Sequence, residues 1–213
     1  MAKAKSTPGT ENQEIISDVL KVQKGVVDCY VVGTSPIILN RMSEKALHQL
    51  LAPTGRKTAS EKATQNKHNP MEEYQASAYT IRDEESPMFL SILSTAFKGS
   101  MRTAALDMPG MKKSQIGRLT FVRGQHVGIY GVPKLLMSVV RSADMNRTPD
   151  VRSRAIVPAW AAVVSIEFVQ PLIRAQAVVN LLAAAGITVG VGDWRPEKGA
   201  GNYGQFRICA QDD

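Results

Sequence analysis

Cysteine, histidine and aromatic residues are scarce in this chain, and each shortage closes off a kind of chemistry. The two cysteines, Cys29 and Cys209, and the three histidines, His48, His68 and His126, are scattered through 213 residues, so no segment has the clustered ligand spacing of a metal site. Both cysteines sit in apolar, strand-like runs, where a thiol acts as a small hydrophobe, and a reducing compartment follows. A disulfide becomes geometrically possible only if their strands are neighbours. Aromatics make up 6% of the chain and show no ribonucleoprotein-type cluster on a strand.

Long apolar runs are missing too. The longest, residues 178–191, is interrupted by Asn180 and glycines, so no membrane span is expected. Residues 1–13 are polar and lack the apolar stretch of a secretory leader, which gives a cytoplasmic expectation; Asn146-Arg147-Thr148 then matches a glycosylation sequon by chance. Neither G-x-S-x-G nor G-x-x-x-x-G-K-[ST] occurs. Glu72-Glu73 and Glu84-Glu85 read as solvated surface charge. The chain therefore reads as a binding protein, not an enzyme, with no cofactor, no metal and no small-molecule substrate.

Acidic charge is outweighed: 26 Lys and Arg against 19 Asp and Glu give a net charge of +7, which favours polyanionic partners. The excess is segmental. Residues 53–70 carry four basic residues, Arg56 and Lys57 among them, against one Glu, between prolines, and read as a mobile basic loop. From Lys98 through Arg102, Lys112, Lys113 and Arg118 to Arg123 the one acid is Asp107. Residues 141–154 hold Arg141, Arg147, Arg152 and Arg154 against Asp144 and Asp150 and read as the tip of a β-arm.

Periodicity supplies the framework. Residues 1–24 read as a disordered or extended tail and 25–213 as one domain. Residues 25–33 (GVVDCYVVG) have the β-branched content of a strand. Ser43 opens a short helix through Leu51; 72–76 read as a helical turn, 77–81 as a strand, and 87–108 as a long first core helix with Leu90, Leu93, Ala96, Phe97, Met101 and Ala104 on one stripe. Residues 126–130, 135–140 and 156–169 read as strands, 172–185 as a helix with Gly186 as its C-cap, and 205–210 as the closing strand. The order predicts an α+β fold with a ferredoxin-like, RRM-like βαββαβ core, an antiparallel sheet backed by two helices, and insertions at 53–70, 109–125 and 141–155.

Gly199-Ala200-Gly201-Asn202-Tyr203-Gly204 is a literal G-x-G-x-x-G, but a helix precedes it and a strand follows, the reverse of what a dinucleotide site requires. With Gly190 and Gly192 it makes a glycine-rich loop whose amides can form anion-binding concavities; Arg195 and Lys198 add charge, and Trp194 and Tyr203 offer stacking faces. Phe206 is a further stacking candidate, whereas Trp160, on an apolar strand, reads as core. This use of the loop requires its cations to stand clear of carboxylates.

A final helix, the loop GVGDWRPEKGAGNYG and a closing strand together resemble the RAMP superfamily, which includes RNA-binding backbone subunits and RNA-processing endonucleases of CRISPR systems. More specifically the chain resembles, over residues 26–208, a family of small phage proteins sharing a TSPIILNRMSEKA-like stretch (34–46) and GVGDWRP (190–196). The resemblance implies RNA contact by the loop, gripping arms at 53–70 and 141–154, and polymerisation of copies along a strand in a bacterial host. The expected function is sequence-tolerant binding of single-stranded DNA or RNA by a homo-oligomer or filament. The alternatives are a virion or assembly protein, and a RAMP-like ribonuclease relying on His68 or His126.

Overall fold

The computed structural model describes residues 21–42, 69–83, 86–141, 149–198 and 201–209, together with Leu47 and Leu51. Expectations for residues 1–20, for Arg56, Lys57 and the rest of the 53–68 loop, and for His48, Arg147 and Gly199 lie outside them. In chain order the elements are β1 (Gln23–Gly33), β2 (Ile37–Leu39), α1 (Pro70–Ala76), β3 (Tyr79–Asp83), β4 (Ser86–Leu93), α2 (Ser94–Ala104) and α3 (Lys113–Leu119). Then come β5 (Thr120–Val122), β6 (His126–Ile129), β7 (Lys134–Arg141), β8 (Pro149–Val157), β9 (Ala161–Gln170), α4 (Ala175–Thr188), a 3-10 turn at Pro196–Lys198, and β10 (Phe206–Cys209). Leu47 and Leu51 are helical, at the place where Ser43 was expected to open a helix.

The result is a mixed α/β fold built of antiparallel sheets. The main sheet has four strands in the order β10-β1-β9-β5, with α2 and α3 in the β1-to-β5 connection and α4 in the β9-to-β10 connection. Two three-stranded sheets, β3-β4-β6 and β2-β8-β7, complete it.

Alternation along the central strands shows that helices cover one face of the main sheet. On β1, Cys29 and Val31 are buried while Val26, Tyr30 and Val32 are exposed; on β9, Val164, Ile166 and Phe168 are buried and Val163 is exposed. Phe97 and Met101 of α2, and Val178, Leu181, Leu182 and Ala185 of α4, fill the covered side with Phe206 of β10. Phe206 meets Phe97 and Trp160 edge-on, at 5.6 and 6.1 Å between ring centroids. Burial of each such large apolar side chain stabilises the fold by about 2 kcal/mol. Among the described residues no helix is long and apolar enough to cross a membrane.

Three expectations are corrected here. Residues 87–93 are not the start of a helix: they belong to β4, the middle strand of its sheet, and ladder bonds to β3 and β6 on both sides outweigh the helical spacing of Leu90 and Leu93. Residues 109–125 are not merely a basic insertion, because they hold α3 and then β5, which supplies the fourth strand of the main sheet. Gly186 does not cap α4, which runs on to Thr188; a Cβ there would collide with the Phe206 carbonyl, so the glycine lets β10 close against the helix.

The strands bearing the two cysteines are indeed neighbours, yet no disulfide joins them. Cys29 points into the helix-covered side, whereas Cys209 pairs in register with Tyr30 on the open side. Burial, assisted by the charge of Asp28, pushes the Cys29 thiol up to about 11. Iodoacetamide at neutral pH should therefore modify Cys209 alone in the folded protein and both cysteines in urea, as read by mass spectrometry. Labelling of Cys29 at the native rate of Cys209 would contradict this placement.

Candidate nucleic-acid interface

The described residues of the glycine-rich loop, 190–198 and 201–204, are packed. Val191 N donates to Gly204 O (2.9 Å), Asp193 N to Ile38 O (2.9 Å) and Gly204 N to Pro36 O (2.8 Å), stitching the loop to the β1–β2 segment. Gly204 has φ +71°, and a Cβ on it or on Gly201 would collide with the carbonyl of Val191 or Trp194 respectively. Gly190 and Gly192, also left-handed, make the turn out of α4. These glycines permit backbone to lie on backbone; they do not make a hinge.

The loop's charges are largely spoken for. Arg195 donates from Nε (2.8 Å) and NH2 (2.5 Å) to Glu197 Oε2 and from NH1 to Gly192 O (3.0 Å). Burial pushes the Glu197 carboxyl up, but the hydrogen bonds and charge of Arg195 outweigh it and hold the group below its ordinary value. Thr103 Oγ1 also donates to Glu197 (3.1 Å), which fastens the loop to α2. Trp194, half-buried at φ +51°, lies under the Arg154 guanidinium, 5.3 Å from its ring centroid, and beside Tyr203 at 6.1 Å. Arg154 itself is interior: its side chain is 4% exposed and NH1 lies 2.8 Å from Asp193 Oδ2, which also accepts from Asn40 Nδ2 (3.2 Å). Burial lowers the Arg154 pKa and the Asp193 charge opposes that shift.

Arg154 is thus a strut within the fold, because a charge leaving water needs a partner, while Arg195, 27% exposed, is engaged by Glu197 and the Gly192 carbonyl. Of the loop's cations Lys198 remains exposed. Trp160 and Phe206 are core residues, 3% and 1% exposed, so neither can stack on a base. Arg152 is exposed on β8 but already engaged by other groups.

The other basic segment converges at one edge of the molecule. Lys98 on α2 places Nζ 4.3 Å from the Phe121 ring centroid, and Lys24 on β1 places its own at 6.0 Å, within cation–π range. Ser94, Thr95, Lys98, Phe121 and Val122 line a shallow recess there. Arg102, one turn beyond Lys98, lies along Gly117 of α3, and α3 runs directly into β5. Lys112, Lys113 and Arg118 are exposed on or beside α3 and have no ion-pair partner among the described residues. Arg123 shares Glu167 with Lys24, at 2.9 and 3.0 Å, leaving one net positive charge; hydrogen bonds from Lys24 and then Arg123 hold that carboxyl below its ordinary value.

Tyr30, Phe121 and Lys24 belong to this surface and were not singled out in the sequence. The available signal was the charge of Asp28, which shares one strand face with Val26, Tyr30 and Val32 and alternates with Val27, Cys29 and Val31, marking its own face as the open one. His126 Nδ1 lies 3.3 Å from Ser91 Oγ and its ring tilts against Tyr79, which Arg41 covers at 5.3 Å. No group of three His, Cys, Asp or Glu among the described residues could hold a metal ion.

No protein-family model matches the chain, and no curated protein does. Among solved structures, Cmr6 from Pyrococcus furiosus is similar with a TM-score of 0.41 and 11% identity, over 88% of this chain and 98% of that one. That is a distant resemblance in the path of the chain.

Proposed function

We propose that β1, β5, β9 and β10 with α2 and α4 form a ferredoxin-like βαββαβ core of the RAMP kind, and that the protein binds single-stranded nucleic acid along its α2–α3–β5 edge. The observation that carries this reading is Phe121, 39% exposed between the Lys98 and Lys24 ammonium groups, with Lys112, Lys113 and Arg118 exposed along the same edge and without an ion-pair partner among the described residues. Cations release counterions from phosphates whatever the base, and an aromatic ring stacks with any base, so such an edge grips a strand with little sequence preference. The role proposed is binding and not catalysis, carried by the cations and the ring of this edge.

Titration of labelled single-stranded DNA, single-stranded RNA and duplex tests this reading. Four or five phosphate contacts give a slope of roughly −3 to −3.5 in log affinity against log salt. Absence of single-strand binding at low salt would sink the proposal.

A second reading, self-assembly, is favoured by β7, an outer strand whose Leu135, Met137 and Val139 are 43%, 54% and 69% exposed. Rings or tubes that survive nuclease and high salt on size exclusion would support it; a monomer under those conditions would remove it.

A further inference from the structure

The three-stranded sheet β3-β4-β6 has an outer face of its own, a short step from the Phe121 recess. Leu90, Ile92, Val127 and Ile129 pack from it onto the core, so the alternate residues Tyr79, Ser91, Leu93 and His126 share the other side. Tyr79 stands opposite Ser91, Ser91 opposite Gly128, and Leu93 opposite His126. Ser91 is buried, whereas a Cβ on Gly128 would meet nothing within 4 Å, so the strand beside the His126 ring lies bare.

Two nitrogen-bearing side chains are fixed on this face with donors to spare. Arg41 N donates to Ser77 O (2.7 Å), which sets the residue beside the start of β3, and its guanidinium packs on the Tyr79 ring, 5.3 Å from the centroid. No carboxylate among the described residues pairs with it. A guanidinium held against a ring keeps the N–H groups along its edge for an anion. The His126 ring leans on the same tyrosine, at 5.1 Å between centroids, with Nδ1 3.3 Å from Ser91 Oγ. Nε2, on the far side of the imidazole, has no partner among the described residues. Tyr79 is thereby engaged by both groups and serves as their brace.

This cluster lies where the basic edge ends. Leu93, opposite His126, is followed directly by Ser94, which lines the Phe121 recess and donates from its backbone N to Gln125 O (2.9 Å). A strand that leaves the recess therefore reaches His126 across about two residues, with ~3.8 Å between neighbouring Cα atoms.

We propose that the Arg41 guanidinium and His126 Nε2 are a second phosphate-binding station, which carries the bound strand from the α2–α3–β5 edge onto the outer face of β3-β4-β6. The proposal rests on the nucleic-acid reading and extends its footprint; it asks nothing of the bases.

The probes are oligothymidines of about 6 and about 16 nucleotides, within the span of single-strand site sizes. The shorter fills the edge and the longer reaches the second station. Arg41→Ala should weaken the longer oligomer about tenfold at low salt and flatten its salt slope by about 0.7, one lost phosphate contact, while leaving the shorter unchanged. Arg41→Lys, which keeps the charge, should retain the slope, and His126→Ala should weaken the longer oligomer alone. Wild-type affinity and slope for the longer oligomer in Arg41→Ala overturn the station and leave the edge reading intact. Equal weakening of both lengths also overturns it, since the residue then acts through the fold. Binding of neither oligomer by wild type removes both proposals.

Discussion

Replacing Asp193 by alanine is expected to lower folding stability by about 3 kcal/mol, because it strands a buried guanidinium without its counter-charge. Arg154 cannot simply turn to water: its side chain is 4% exposed, held between the Asp193 carboxylate and the Trp194 ring. The same carboxylate accepts from Asn40 Nδ2 and from the Trp194 backbone N–H at 3.1 Å, so two donors lose their acceptor at the same time as the guanidinium loses its ion pair. Asp193→Asn keeps the shape and an acceptor but not the charge, and should fall between alanine and wild type. Urea unfolding followed by circular dichroism measures the difference; a loss below about 1 kcal/mol would place Arg154 in the class of surface pairs, which are worth little.

Alanine at Lys112, Lys113 and Arg118 together should weaken single-strand binding by on the order of 100-fold at low salt and flatten the salt slope by about 2, the sum of three contacts at ~0.7 each. Arg195→Ala should do far less to binding, since its guanidinium is already committed to Glu197 and the Gly192 carbonyl. The contrast separates two places for the interface. If the loop were the grip, Arg195→Ala together with Lys198→Ala would abolish binding and the α3 variant would be mild.

What the sequence disclosed and what it hid follow from the range of the forces involved. Strands such as 25–33 and 126–130, and the helix ending near 185, were legible because β-branched content and apolar spacing are local signals. The 87–93 segment was misread because Leu90 and Leu93 continue the stripe of Ala96, Phe97 and Met101 across a strand-to-helix junction; only partners distant in sequence, β3 and β6, decide for the strand. Glycines in the 190–204 loop suggested freedom, yet the same lack of a Cβ allows backbones to touch, and here the packing uses that property. Glu197 stood two residues from Arg195 in plain view, but whether neighbours pair or splay depends on the turn between them, which Pro196 and the 3-10 geometry set. Exposure of Tyr30 and Phe121 depends on which face the helices cover, and alternation alone does not name that face.

Photo-crosslinking of a thymidine-substituted single strand to the wild-type protein, read by peptide mass spectrometry, bears most directly on where nucleic acid sits. Crosslinks to Phe121 and to peptides of α2 and α3 are the predicted result. Crosslinks confined to residues 190–204, or none above those given by duplex, would contradict it.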